Sequence, residues 1–144
     1  MTLFASLPAA IRTTLKAGAF ALCCMPAPVS AAKGLAQEAA LNEGLIAISM
    51  ANVIRKTCPS ISALMLKAWL KVKSLEAEAR SLGYTAQEVS AFVKDPMEKK
   101  RVLSVAQERL ADHGVIPNQP ATYCTLGLAE IEAGSAIGKL LKAK

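Results

Sequence analysis

Residues 51–82 read ANVIRKTCPSISALMLKAWLKVKSLEAEARSL, and the fold turns on the break they contain at Cys58-Pro59-Ser60. Upstream, an apolar helical pattern ends in Arg55 and Lys56, cations that suit the last turn of a helix. Proline disfavours helix in the residue before it, so Thr57-Cys58-Pro59-Ser60 interrupts the pattern and leaves Ser60 as an N-cap. From Ile61 to Leu82, Ile61, Leu64, Ala68, Val72, Leu75, Ala79 and Leu82 recur in steps of three and four. That spacing predicts an amphipathic helix with Lys67, Lys71, Glu78 and Ser81 largely opposite. Glu76 and Arg80 form a favourable i,i+4 pair, and Gly83 ends the helix. Met65 and Trp69 lie on the flank of the stripe, which predicts a place at the core edge for Trp69.

Before the break, Leu41, Leu45, Ile48 and Ile54 fall near helical spacing and predict a helix from Leu35 to Lys56, with Gly44 weakening it slightly. After Gly83, two capping boxes follow in quick succession. Thr85-Ala86-Gln87-Glu88 opens a short helix to about Lys94, with Val89, Phe92 and Val93 inward. Asp95-Pro96-Met97-Glu98 opens another, proline at its first position, running to about His113 with Val102, Leu103, Ala106 and Leu110 apolar. Residues 115–120 form a loop. A last helix is predicted from Ala121 to Lys142, with Cys124 in its first turn and glycines at 127, 134 and 138 that admit close packing of another helix. No alternating run bounded by turn residues predicts a strand.

The beginning of the chain has a different character. Residues 1–37 hold no acidic residue, and Arg12 and Lys16 precede an apolar run from Ala17 to Met25. Pro26, Pro28 and the small residues Val29-Ser30-Ala31 follow. A basic stretch, a short apolar stretch and a small-residue site describe a cleavable export signal over residues 1–31. Its removal from the 144 residues leaves 113, a single helical domain over 32–144. Two alternatives stand beside this. Cys23 or Cys24 could carry a lipid, although Leu22 is bulky where such signals prefer a small residue. An uncleaved anchor would have to tolerate Pro26 and Pro28 in its helix. The apolar run falls short of the roughly 20 residues that a spanning helix needs, and nothing downstream is long enough either.

Export to an oxidising compartment pairs cysteines, and cleavage leaves two, Cys58 and Cys124. Closing a loop of that length stabilises a small domain by roughly 4 kcal/mol on the chain-entropy model. The expected architecture is an all-α bundle of about five helices closed by this one disulfide.

The net charge of +6 falls to +4 once Arg12 and Lys16 leave with the leader. Lys99-Lys100-Arg101 is the one basic triplet, with Glu98 beside it, and reads as a solvated helix face. Aromatic residues make up 4% of the chain, too few for the stacking platforms that single-stranded nucleic acid uses. The single histidine, His113, precedes a stop glycine and suits a helix C-terminus. With both cysteines paired it cannot assemble a zinc site. No nucleophile-elbow sequence places a serine for a Ser-His-Asp arrangement, and no glycine-rich loop follows a strand. Glu130 and Glu132, like Glu76 and Glu78, are two apart and point to different sides of a helix. No cofactor is expected.

Several of these segments together carry a resemblance. The Cys58 turn, Ser81-Leu82-Gly83-Tyr84-Thr85, Cys124-x-Leu126-Gly127 with Glu130-Ile131, and Ser135-Ala136-Ile137-Gly138-x-Leu140-Leu141-x-Ala143-Lys144 resemble a Gram-negative bacterial family of unknown function. Its members are small exported helical proteins with one cysteine pair. The resemblance covers most of the chain after the leader and brings no site residues. It implies a gene neighbourhood beside respiratory NADH dehydrogenase subunits, and so a loose link to the respiratory chain.

The expected function is a non-catalytic periplasmic interaction or accessory protein for an envelope protein partner, without a nucleic-acid role or a stable membrane span. One rival is a small-ligand-binding helical domain with Trp69, Met65 and Tyr84 lining its pocket. The other is an accessory subunit held at the membrane by its leader or by a lipid on Cys23.

Overall fold

The computed structural model describes residues 34–144. The export signal read at 1–31, with Cys23 and Cys24, lies outside the described residues. The chain runs through α1 (Ala39–Thr57), β1 (Ile61–Ala63), α2 (Met65–Ser81), α3 (Ala86–Lys94), α4 (Pro96–Asp112) and α5 (Pro120–Ala133). A 3-10 turn (Gly138–Leu140) and β2 (Leu141–Ala143) complete it. It is a helical bundle closed by a disulfide between Cys58 and Cys124, with Cα atoms 5.1 Å apart.

α1 is the central helix. Its spacing shows one stripe, but Leu41, Gly44, Ile46, Met50, Ala51 and Ile54 are all buried, on more than one face. A helix buried on a single side needs only an apolar arc of about 100°. α1 exceeds that and packs on α4, α2 and α5. Polar side chains fix its seat on α4. Arg101 donates to Asn42 Oδ1 at 2.8 Å, and Arg109 donates both terminal nitrogens to Glu43 at 2.5 and 2.6 Å.

The first capping box forms in full and the second only as an N-cap, because the Glu98 carboxylate accepts from Arg101 and the Asp95 amide donates to the end of α3. The Thr85 hydroxyl accepts from the Glu88 amide at 3.2 Å while the Glu88 carboxylate accepts from the Thr85 amide at 2.7 Å. Asp95 Oδ1 accepts from the amides of Met97 and Glu98 at the start of α4. His113 is the exposed C-cap residue that follows α4.

Helix ends depart from expectation where the chain makes long-range contacts. The helix expected from Leu35 starts at Ala39 instead, because Gly34 and Leu35 belong to a separate helical turn and the bonds from Gln37 to Gly34 and from Glu38 to Leu35 tuck Leu35 into the core. Ile61–Ala63 is not the first turn of a helix capped by Ser60. It is a strand, paired antiparallel with β2 in the register Ile61 to Ala143, Ser62 to Lys142 and Ala63 to Leu141. The pairing extends at both ends, with Leu64 N–H donating to Leu140 O and Lys144 N–H to Ser60 O. The last helix likewise stops at Ala133 rather than Lys142. Gly134 takes φ +58°, the amides of Gly134 and Ser135 donate back to Ile131 and Glu130, and the chain reverses toward β1. Gly134 and Gly138 are therefore not a helical pair. Gly138 lies against the Glu130 carbonyl, and Gly127 lies under Ile54 and Ile61.

Three apolar residues expected inward, Leu82, Val93 and Leu103, are exposed, as is Leu128 on the last helix. Leu82 is the last residue before a turn, and Val105 rather than Leu103 packs against the α4 side of the core. Trp69, expected at the core edge, is 55% exposed.

Candidate functional site

The core is divided. One cluster joins α1, α4, β1 and the chain end through Ile46, Met50, Ile54, Cys58, Ile61 and Leu110, among others. The second joins Leu35 and Leu41 to Leu75, Ala79, Val89 and Phe92. Ile48 is partly buried and packs against both.

The division follows from α2. Its C-terminal half buries Leu75 and Ala79, whereas its first two turns bury nothing. Leu64 supplies no side-chain cap there, and Ala68 and Val72 are only partly covered. The helix is thus held at one end by the second cluster and at the other by the β1–β2 ladder. Between these supports an apolar cleft of about 440 Å³ remains open. Leu45, Ile48, Ala51 and Val102 line it from α1 and α4, Met65, Ala68 and Val72 from α2, and Phe92 and Val93 from α3. That volume lies within the range of about 300–1,000 Å³ typical of small-molecule sites.

The charged groups of the lining are Arg55, Glu76, Glu98 and Lys99. Their pairing is unequal. Glu76 accepts from Lys73 at 2.7 Å with Arg80 at 3.9 Å, and Glu98 accepts from Arg101 at 2.7 Å. Arg55 donates to the neutral Asn52 at 3.0 Å. Among the described residues, neither Arg55 nor Lys99 has a carboxylate partner. Both are exposed and mark the mouth of the cleft, so its rim carries two uncompensated positive charges over an apolar floor.

The basic triplet thus divides its work. Lys99 faces the mouth, Lys100 is exposed, and Arg101 ties α4 to α1 through Glu98 and Asn42. The pocket expected from Trp69, Met65 and Tyr84 is not assembled: Met65 lines the cleft, and Trp69 and Tyr84 do not. Tyr84 instead closes the Leu35 turn over the second cluster, its hydroxyl donating to Glu38 at 2.9 Å. Glu38's acceptance of that hydrogen raises the Tyr84 pKa above its ordinary value. Cys58 and Cys124 form a disulfide away from the cleft, and Ser60 Oγ lies 3.1 Å from the Cys58 sulfur. Among the described residues no group of three or more His, Cys, Asp or Glu side chains could hold a metal ion, and no helix is long and apolar enough to cross a membrane.

Comparison with known families adds a decisive match: the Family of unknown function (DUF5333) matches residues 33–142. The chain belongs to this family. Every residue that lines the cleft falls within the matched range, as do both disulfide cysteines. No curated protein and no solved structure matches the chain.

The mouth cations, Arg55 and Lys99, were not legible as a pair in the sequence. They are 44 positions apart, and each alone reads as a solvated end or face. Only the seating of α4 on α1 brings them to one opening.

Proposed function

We propose that this protein is a non-catalytic accessory protein of the bacterial periplasm that works by binding, and that its cleft takes a single-chain anionic amphiphile of the long-chain carboxylate type. The observation that carries this is the cleft: an apolar floor, two paired carboxylates and two unpaired cations at the mouth. An acyl chain matches the floor by apolar burial, at about 0.8 kcal/mol per methylene. A carboxylate matches Arg55 and Lys99 by charge. A non-catalytic role accords with a lining whose carboxylates are engaged in ion pairs and which holds no histidine or cysteine. Export accords with the residue pattern at 1–31 and with the disulfide.

Native mass spectrometry of the protein isolated from its host tests the reading. Ser49 lines the cleft from α1, and the expected result is a protein adduct of one acyl carboxylate, lost when the cleft is narrowed by Ser49→Phe. Turnover of such a ligand, or an adduct indifferent to Ser49→Phe, contradicts it. A second reading has the cleft clasp an apolar segment of an envelope protein partner, favoured by the mixed charges of its rim. In that case acyl carboxylates leave the protein bare, and a crosslinker placed at Ser49 captures a polypeptide.

A further inference from the structure

The first two turns of α2 carry a second surface, which adjoins the cleft at Met65 and runs away from it through Leu66, Trp69 and Leu70. Met65, Leu66, Trp69 and Leu70 are 67%, 70%, 55% and 51% exposed. At about 100° per residue they occupy an arc of roughly 140°. Ala68 and Val72, on the neighbouring side, face the cleft. Lys67 and Lys71 bound the arc on its far side. Clustered exposed apolar side chains mark a site of interaction, whereas single ones need no explanation.

The charge pattern says what covers this face. From Gly44 to Leu75 the chain contains no Asp or Glu and five cations: Arg55, Lys56, Lys67, Lys71 and Lys73. Elsewhere in the bundle acids and bases alternate and pair, as in Glu43 with Arg109 and Glu98 with Arg101. Within α2's own first turns the apolar side chains alternate with lysines and no acid. A Trp and long aliphatic side chains beside lysines, on a helix too polar to span, describe a helix that lies in a membrane interface. Lysine stems reach the headgroups while their methylenes stay over the acyl boundary.

We infer that this face seats the protein on an anionic bilayer. Met65, Leu66, Trp69 and Leu70 enter the headgroup–acyl boundary, and Lys67 and Lys71 meet lipid phosphates. The inference is independent of what the cleft holds.

Trp69 is the single Trp of the chain, so its fluorescence reports this face without a label. The test adds vesicles of phosphatidylglycerol with phosphatidylcholine, or of phosphatidylcholine alone, to the protein isolated from its host. Vesicles carrying brominated acyl chains report the depth of the indole. The expected result is a blue shift and bromolipid quenching of Trp69 on the anionic vesicles, weakened by salt. Lys67→Gln with Lys71→Gln lowers vesicle affinity by about 25-fold, each lysine accounting for about fivefold. Leu66→Gln with Leu70→Gln abolishes the quenching, and because both side chains point to solvent the variant keeps its circular dichroism and melting temperature. Trp69 that stays unquenched on anionic vesicles overturns the inference and assigns the face to a protein partner. Equal binding to neutral and anionic vesicles, or binding unchanged in either double variant, also overturns it. Vesicle binding can fail while the amphiphile titration succeeds, so the two proposals stand or fall separately.

Discussion

A methyl group at Gly127 would lie 2.5 Å from Ile61 Cδ1 and 2.7 Å from Ile54 Cγ2. Both isoleucines are fully buried, so neither can swing clear. Gly127→Ala therefore overpacks the joint between α1, β1 and α5, and a loss of about 1–3 kcal/mol in urea unfolding is expected. The sequence shows the three late glycines as candidates for close packing; which of them pack, and against what, depends on where the helix ends. Ser62 Oγ is buried and has no partner among the described residues. At the surface, hydrogen bonds from Arg109 hold the Glu43 carboxyl below its ordinary value, outweighing the opposing effect of burial, with the Arg109 charge as the least contribution. A lowered carboxylate pKa gives stability that is complete above the ordinary glutamate value of 4.5 and is lost as the pH falls through the lowered one. Both side chains are more than a third exposed, so the pair contributes at most about 1 kcal/mol. Glu43→Gln should show that deficit at pH 7 in urea unfolding, with the gap to the parent protein closing in acid.

At the scale of elements, local signals read well and long-range ones do not. The α3 and α4 starts are written within four residues each, as Thr85 to Glu88 and Asp95 to Glu98, and both form. Thr85→Ala leaves the Glu88 amide without its cap, and a fall in stability of about 1 kcal/mol is expected, measured as a lower urea midpoint at an unchanged m-value. The strands fail for the opposite reason. β1 and β2 are three residues each, too short to show alternation, and each becomes a strand only by meeting a partner about 80 residues away. Ile61 and Leu64 fit a helical stripe equally well, so the periodicity runs on through a strand. α1 misleads in another way. Its extra apolar positions fill more than one face, and that signals a central helix only once its neighbours are in place.

For the whole molecule, the disulfide joins the end of α1 to α5 across 66 residues, next to where β2 closes on β1. Reduction releases that loop in the unfolded chain, and a lowering of unfolding stability by roughly 4 kcal/mol is expected on comparing oxidised and reduced protein in urea. Fold class and the cysteine pairing were legible because periodicity, caps and cysteine arithmetic are local or nearly so. The cleft was not. It arises because α2 is anchored at its two ends and lifts from α1 between them, a consequence of packing that no single stretch records. Trp69, Met65 and Tyr84 drew attention as large side chains, yet only Met65 of the three lines the cleft, with Leu45, Ile48, Ala68 and Val72 and with Arg55 and Lys99 in the lining.

The most direct measurement is a calorimetric titration of the protein with saturated fatty acids of increasing chain length, below their critical micelle concentrations. The account predicts one saturable site, tightening by about tenfold for each two methylenes until the cleft is full. The same titration should be several-fold weaker for Lys99→Gln and absent for Ser49→Phe. Heats that never saturate, an affinity indifferent to chain length, or full binding by Ser49→Phe would contradict a cleft built to hold an acyl chain.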